Sequence, residues 1–348
     1  MDFLSLFFLS GGLFLGWALG TNNMSNLFGT AIGTRMVSSK KAVIIACVFV
    51  ILGAVISGGG VSGTLKQLGQ INTMAGAFIT ATSAALTLYF LTVAGIPVSS
   101  TQAIVGSIIG WSLFAHVKVN VNIIGEIVFS WIASPFLAAI FSFAFIYLVR
   151  CYLKANPIPM LYRDAYTRVG LVIAGALSAY SLGANNVANV MAPFLKVLTV
   201  PDIYLWGVTI SSAQQLFFIG ALSIAAGLCM YSKDVIRTIG DGLFKMSPIE
   251  AFVVVLAHAI VLFLFSSVSL KEFLQSLHLP SFPLVPLSSS GAIVGAVIGV
   301  SILKKGYGLK KSELIKIAAA WVLTPVVAAI ISFIALFFMQ NVFGQVVI

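Results

Sequence analysis

Carboxylates are scarce in this sequence. Nine Asp or Glu and nineteen Lys or Arg make up 8% of 348 residues, while 60% are hydrophobic and the mean hydropathy is +1.10. A soluble domain of this length could not keep such a surface wet. Apolar runs of about 18 residues or more recur from end to end, the pattern of a polytopic helical membrane protein. No alternating run of about ten residues repeats, which argues against a transmembrane barrel. The three cysteines, Cys47, Cys151 and Cys229, have no CxxC spacing, so neither a disulfide framework nor a zinc site is expected. There is no HExxH and no nucleophile set beside a base, so the chain is not read as an enzyme and no cofactor is expected. No Lys or Arg precedes the first apolar run, which makes that run a first span rather than a signal peptide. A net charge of +10 would suit nucleic acid, but in a chain this apolar it orients loops, and the partner expected is the lipid bilayer.

Ten hydrophobic units are legible: roughly 3–34, 41–59, 72–94, 97–115, 122–149, 168–195, 202–228, 247–268, 285–303 and 314–340. The first would be about 48 Å long as one straight helix, against a hydrocarbon core of about 30 Å, so it must tilt or break. The basic residues test the topology. Ten crossings put Arg35, Lys40, Lys41, Arg150, Lys154, Arg163, Arg168, Lys233, Arg237, Lys245, Lys304, Lys305, Lys310, Lys311 and Lys316 on one side, and only Lys66, Lys118, Lys196 and Lys271 on the other. Treating 3–34, 97–115 and their later counterparts as re-entrant hairpins divides the nineteen less well, at about twelve to seven. Positive-inside therefore favours ten crossings in a plasma membrane with both termini outside.

The chain repeats itself. GTNNMSN at 20–26 returns as GANNVAN at 183–189, IPVSSTQAIVGSIIG at 96–110 as VPLSSSGAIVGAVIG at 285–299, and WIASP at 131–135 as WVLTP at 321–325. Five crossings per copy is odd, so the second copy is inverted. The expected fold is all-α and polytopic, with two inverted repeats of five units and interrupted helices: 1–150, a cytoplasmic linker at 151–167, and 168–348. Inverted repeats with broken helices mark secondary transporters, whose site lies at the midplane between the copies.

Two motif types carry the polar chemistry. Asn22, Asn23 and Asn26, with Asn185, Asn186 and Asn189, supply amide donors and acceptors inside apolar runs. Such groups either glue helices together or line an enclosed cavity; matching clusters in both copies favour the cavity. Ser99, Ser100 and Thr101 follow Pro97, and Ser288, Ser289 and Ser290 follow Pro286, a helix-start signal. Half-helices beginning near Met24, Ser100, Val187 and Ser289 would aim four N-termini, about +0.5 charge each, at one dianion. No carboxylate falls inside the constellation. His258, mid-span, suits either a proton shuttle or a packing bond, and Gln214 and Gln215, also expected mid-span, read as interhelix bonding.

These motifs resemble the G-A-N-D-x-A-N and P-V-S-[ST]-T-H signatures of the inorganic phosphate transporter (PiT) family, each duplicated in the right order over nearly the whole chain. The resemblance implies an inverted-repeat symporter that takes up phosphate with Na⁺ or H⁺, some members carrying sulfate. Both motif pairs, Asn22, Asn26, Ser99, Ser100 and Thr101 with Asn185, Asn189, Ser288, Ser289 and Ser290, would then converge on the anion. Candidate Na⁺ oxygens lie near Asn22, Asn185, Thr101 and Ser290, and a homodimer is an allowed assembly. The departures are specific. The family aspartate is Asn23 in one copy and Asn186 in the other, its histidine is Gln102 and Gly291, and a glutamate common in its second span is replaced near Val50. Phosphate near neutral pH carries a proton and welcomes a carboxylate, whereas sulfate carries none. Phosphate is the expected substrate; a sulfate permease and a passive anion channel are the alternatives.

Overall fold

The computed structural model describes residues 3–94, 98–205, 207–230, 246–304 and 311–348, apart from the side chains of Leu205, Val208, Lys311 and Glu313. Pro97 and the basic residues Lys233, Arg237, Lys245, Lys305 and Lys310 lie outside the described residues. The first half comprises α1 (Phe3–Met24), a π-helical turn (Ser25–Gly29), α2 (Thr30–Gly33), α3 (Ser39–Ser57), α4 (Gly59–Gly69), α5 (Met74–Val93), α6 (Ser100–Phe114) and α7 (Val121–Ala155). The second comprises α8 (Met160–Met191), a hairpin of β1 (Ile203–Leu205) and β2 (Val208–Ile210), α9 (Ser212–Cys229), α10 (Pro248–Ser266), α11 (Val268–Ser276), α12 (Ser289–Ile302) and α13 (Lys311–Asn341). Every expected unit contains a helix, and eight helices among the described residues are long and apolar enough to cross a membrane. The other two units, α6 and α12, have 15 and 14 residues. At 1.5 Å per residue they are about 22 Å long, too short to span alone.

Local chemistry sets the helix starts. Thr73 caps α5, Asn120 caps α7, and Ser267 caps α11. Ser211 with Gln214 and Ser247 with Glu250 form capping boxes at α9 and α10. Two expectations change here. Gln214 and Gln215 are not mid-span, because residues 203–210 turn back at Gly207, φ 81°, and α9 begins only at Ser212. Gln214 completes the cap, while Gln215 Nε2 donates to the Pro201 and Ile210 carbonyls at 2.8 and 3.3 Å.

Packing repeats in pairs. α1 lies on α9 as α3 lies on α8, α1 on α5 as α8 on α10, and α6 on α13 as α12 on α7, with α3 against α9 at the shared seam. Glycines set the closest approaches. A Cβ at Gly20 would sit 2.1 Å from the Ile224 carbonyl oxygen, and one at Gly183 would sit 2.1 Å from that of Val50. Gly227 and Gly53 meet Trp17 and Tyr180 in the same paired way. Small residues at a crossing let backbones touch and gain van der Waals contact.

The same contacts give direction. Gly16 and then Gly20 of α1 meet Gly220–Ser223 and then Ile224–Leu228 of α9, and Gly53 and then Gly58 of α3 meet Tyr180 and then Val187 of α8. Each pair therefore runs parallel. Gly106 and Gly110 follow Pro325 and Ala329, while Gly295 and Gly299 follow Pro135 and Ala139, so α6 and α12 also run parallel to α13 and α7. Cys47 of α3 meets Ala225 and Cys229 of α9 while Gly58 meets Phe217, so α3 runs antiparallel to α9 and hence to α1; α8, parallel to α3, therefore runs opposite to α1, and the two repeats are inverted. Lipid-facing surface concentrates on α7 and α13, whose most apolar windows are only 22% buried, against 72% for α8.

Candidate functional site

α6 and α12 run in opposite directions, and their N-terminal ends meet. Thr101, in the first turn of α6, donates from Oγ1 to the Leu287 carbonyl, two residues before α12, at 2.7 Å. Two positive helix ends brought together repel unless an anion lies between them. The ends differ in detail. Ser288 caps the Gly291 N–H at 3.1 Å, whereas Ser99 makes no cap and its buried Oγ has no partner. The first-turn N–H groups of α6 thus lack a side-chain acceptor.

The asparagine clusters lie against these ends. Asn22 Nδ2 donates to the Val98 carbonyl at 3.3 Å. The equivalent Asn185 clasps the Leu287 peptide from both sides, donating to its carbonyl at 3.1 Å and accepting from its N–H at 2.9 Å. Further bonds join the halves: Asn26 Nδ2 to Ser289 Oγ at 3.3 Å, and Asn189 Nδ2 to Thr101 Oγ1 at 3.0 Å. Asn23 and Asn186 act within their own clusters. Asn23 accepts from Asn26 at 2.9 Å and donates to the Leu19 carbonyl at 2.9 Å, while Asn186 accepts from Asn185 and Asn189 at 3.0 and 3.2 Å. Asn185, Asn186 and Asn189 are fully buried, and the network is closed to solvent except at the half-buried Asn22 and Ser290. Ser290 Oγ lies 3.2 Å from Ser288 Oγ.

The expectation of four helix ends is corrected to two. The first asparagine segment passes through the π-helical turn Ser25–Gly29, and α8 is continuous through Met191, so no helix begins near Met24 or Val187. Each amide finds at least one partner without unwound backbone: in another asparagine, in the Leu19 carbonyl, in the Thr101 and Ser289 hydroxyls, or in the strand-like segments leading into α6 and α12. A π-turn adds a residue to the helix and offsets the faces before and after it. Here it falls on Asn26.

Several polar atoms stay unpartnered although buried: the acceptors Asn26 Oδ1, Asn189 Oδ1 and Gln102 Oε1, the hydroxyl Ser99 Oγ, and the donor Asn186 Nδ2. The amide orientations follow from the network, since Asn23 and Asn185 are each pinned by a backbone carbonyl. Two candidate Na⁺ ligands are otherwise engaged, because Asn185 holds Leu287 and Thr101 Oγ1 bonds both Leu287 and Asn189. The residues that sequence reasoning left undecided or passed over are His258 and Ser178. His258 is fully buried, with Nε2 2.9 Å from Ser289 Oγ and Nδ1 2.8 Å from Ser178 Oγ. A lone mid-span histidine was the only signal for it.

A family model described as the phosphate transporter family matches residues 19–271 and 277–347. Among curated relatives, a protein named "Putative phosphate permease" from Methanocaldococcus jannaschii is 26% identical, with 92% of this chain and 93% of that one aligned. Similarly named proteins from Pyrococcus abyssi and Helicobacter pylori are 25% and 26% identical, over 92% and 84% of this chain and 94% and 68% of theirs. A solved structure of the sodium-dependent phosphate transporter superposes with a TM-score of 0.76 at 20% identity, covering 97% of this chain and 99% of that one, a likeness of fold.

Proposed function

The chain belongs to the phosphate transporter family and is an integral multi-pass membrane protein, and from that premise we propose that it is a symporter moving inorganic phosphate by alternating access of its two halves. The observation that carries this reading is the pair of bonds across the halves, Asn26 to Ser289 and Asn189 to Thr101, beside two opposed helix N-termini. The binding residues are then the twelve of the two motif pairs: Asn22, Asn23, Asn26, Ser99, Ser100, Thr101, Asn185, Asn186, Asn189, Ser288, Ser289 and Ser290. Rocking one half on the other breaks and remakes these cross-half bonds and opens the site to either side in turn. Ten crossings leave both termini on one side, which the basic loops make the outside of the plasma membrane.

Charge supports coupling. Two helix ends supply about +1 in total, not the +2 of four, so a bound dianion keeps about one uncompensated negative charge. Against about 100 mV, moving two negative charges inward also costs on the order of 4.6 kcal/mol. A co-bound cation offsets both. The unpartnered oxygens of Asn26, Asn189, Gln102 and Ser99 suit Na⁺, an oxygen-seeking ion, and favour it over H⁺, for which the two motif pairs offer no carboxylate. Sulfate is a second reading, favoured by Asn23 and Asn186 standing in place of acids.

The test is uptake of labelled phosphate into proteoliposomes with imposed Na⁺ or H⁺ gradients, with sulfate as competitor. Accumulation above equilibrium driven by the Na⁺ gradient is expected. Ser100→Ala and Ser289→Ala should weaken it more than Ser142→Ala, a serine bonded only within its own helix. Phosphate flux that never exceeds equilibrium would mean a channel, and equal effects of the three substitutions would remove the site.

A further inference from the structure

His258 belongs to neither motif and has no equivalent in the first half. The register that pairs Gly20 with Gly183 sets Leu15 opposite Ser178, and the starts of α5 and α10 set Ala84 opposite His258. Both first-half residues are apolar and buried. The chain Ser178–His258–Ser289 is therefore an asymmetric addition to an otherwise duplicated site, and it ends on a hydroxyl at the N-terminus of α12.

Counting hydrogens shows what the addition does. A serine hydroxyl has one hydrogen and two lone pairs, and a neutral imidazole has one N–H and one lone pair. Asn26 Nδ2 occupies one lone pair of Ser289 Oγ, because Asn26 is oriented by Asn23, which is itself held by the Leu19 carbonyl. One hydrogen and one lone pair remain on Ser289, shared between His258 and any ligand. Two arrangements satisfy the count. In the first, Ser178 donates to Nδ1, Nε2–H donates to Ser289, and the Ser289 hydrogen is free for an anion oxygen. In the second, Nδ1–H donates to Ser178, whose own hydrogen turns to a carbonyl of its helix, and Nε2 accepts the Ser289 hydrogen. Ser289 then offers a lone pair. Both arrangements hold three hydrogens, and the imidazole exchanges between its tautomers through water when the site is open.

We propose that His258 is a positioning residue that lets Ser289 either donate to a bare anion oxygen or accept from a protonated one, and that this replaces the carboxylate acceptor missing from both asparagine motifs. Hydrogen phosphate carries a P–O–H that needs an acceptor, while sulfate has only bare oxygens. The relay thus lets the site take the protonated tetrahedral anion, which a Ser289 fixed as a donor would penalise. The inference rests on the phosphate-transport reading and deepens it.

The experiment is competition between labelled phosphate and sulfate on the full-length protein in proteoliposomes, comparing wild type with His258→Leu, Ser178→Ala and Ser289→Ala. Without Nε2, Ser289 can accept a P–O–H only by stranding its own buried hydrogen, which costs about as much as one unsatisfied donor. Phosphate preference over sulfate should fall about tenfold or more in His258→Leu, with sulfate affinity changed less than about threefold. Ser178→Ala, which keeps the ring, should shift the ratio in the same direction by a smaller factor. A structural role alone would weaken both anions in parallel. A parallel loss, or an unchanged ratio in both variants, overturns the proposal. If Ser289→Ala leaves both anions unaffected, the anion site itself has been misplaced.

Discussion

The two asparagine motifs look interchangeable in sequence, yet Asn185→Ala should be far more damaging than Asn22→Ala. Asn185 is fully buried and makes three bonds, two of them to the Leu287 peptide. On truncation the Leu287 carbonyl keeps Thr101 and Asn186 Oδ1 keeps Asn189, but the buried Leu287 N–H is left with no acceptor. One stranded donor costs about 2 kcal/mol, and the two lost donations add a few tenths each, for a total of about 2–3 kcal/mol. If transport tracks the population of the intact site, activity falls about 30- to 150-fold. Asn22 is only half-buried and makes a single 3.3 Å bond, so its loss is worth about 0.5–1 kcal/mol, a two- to fivefold effect. Initial phosphate uptake in proteoliposomes, normalised to folded protein, measures the ratio. Equal losses, or a larger loss at Asn22, would refute the inference that the second cluster holds the α12 entrance while the first only touches that of α6.

Two further outcomes follow from packing and capping. Gly20→Ala and Gly183→Ala each place a methyl group about 2.1 Å from a carbonyl of the neighbouring helix, and should lower the melting temperature in detergent, whereas Gly59→Ala, which meets open space, should not. Ser288→Ala should cost about 1 kcal/mol of stability through loss of the α12 cap, while Ser99→Ala, with no cap to lose, should leave the melting temperature unchanged but still weaken phosphate uptake.

Much of this architecture was legible because hydropathy and capping are local. The ten units could be read as apolar runs, and the starts of α6 and α12 as hydroxyl clusters after proline. Two of the three misreadings, the asparagine segments and His258, share one cause: the deciding partner was distant in the chain. A run of asparagines in an apolar helix suggests unwinding only if its amides must seek backbone, and Asn185 finds its partner 102 residues away at Leu287. Read as helix, the apolar run 203–210 places Gln214 and Gln215 mid-span, although Gly207 and Pro201 mark it as a turn. His258 could not be assigned because Ser178 and Ser289 lie 80 and 31 residues from it. The glycine correspondences, by contrast, were open to inspection and would have set the register of the repeats.

The exchange of final helices has a consequence for biogenesis. The groove of α6 at Gly106 and Gly110 is filled by Pro325 and Ala329 of α13, more than two hundred residues later in the chain. During synthesis the helices of the first half, α1 to α7, enter the bilayer with that groove open to lipid, and they stay unfinished until the last helix emerges. Neither half is a module that could mature by itself. A nascent chain stalled before α13 should be a substrate for membrane quality control, however well its first half has inserted.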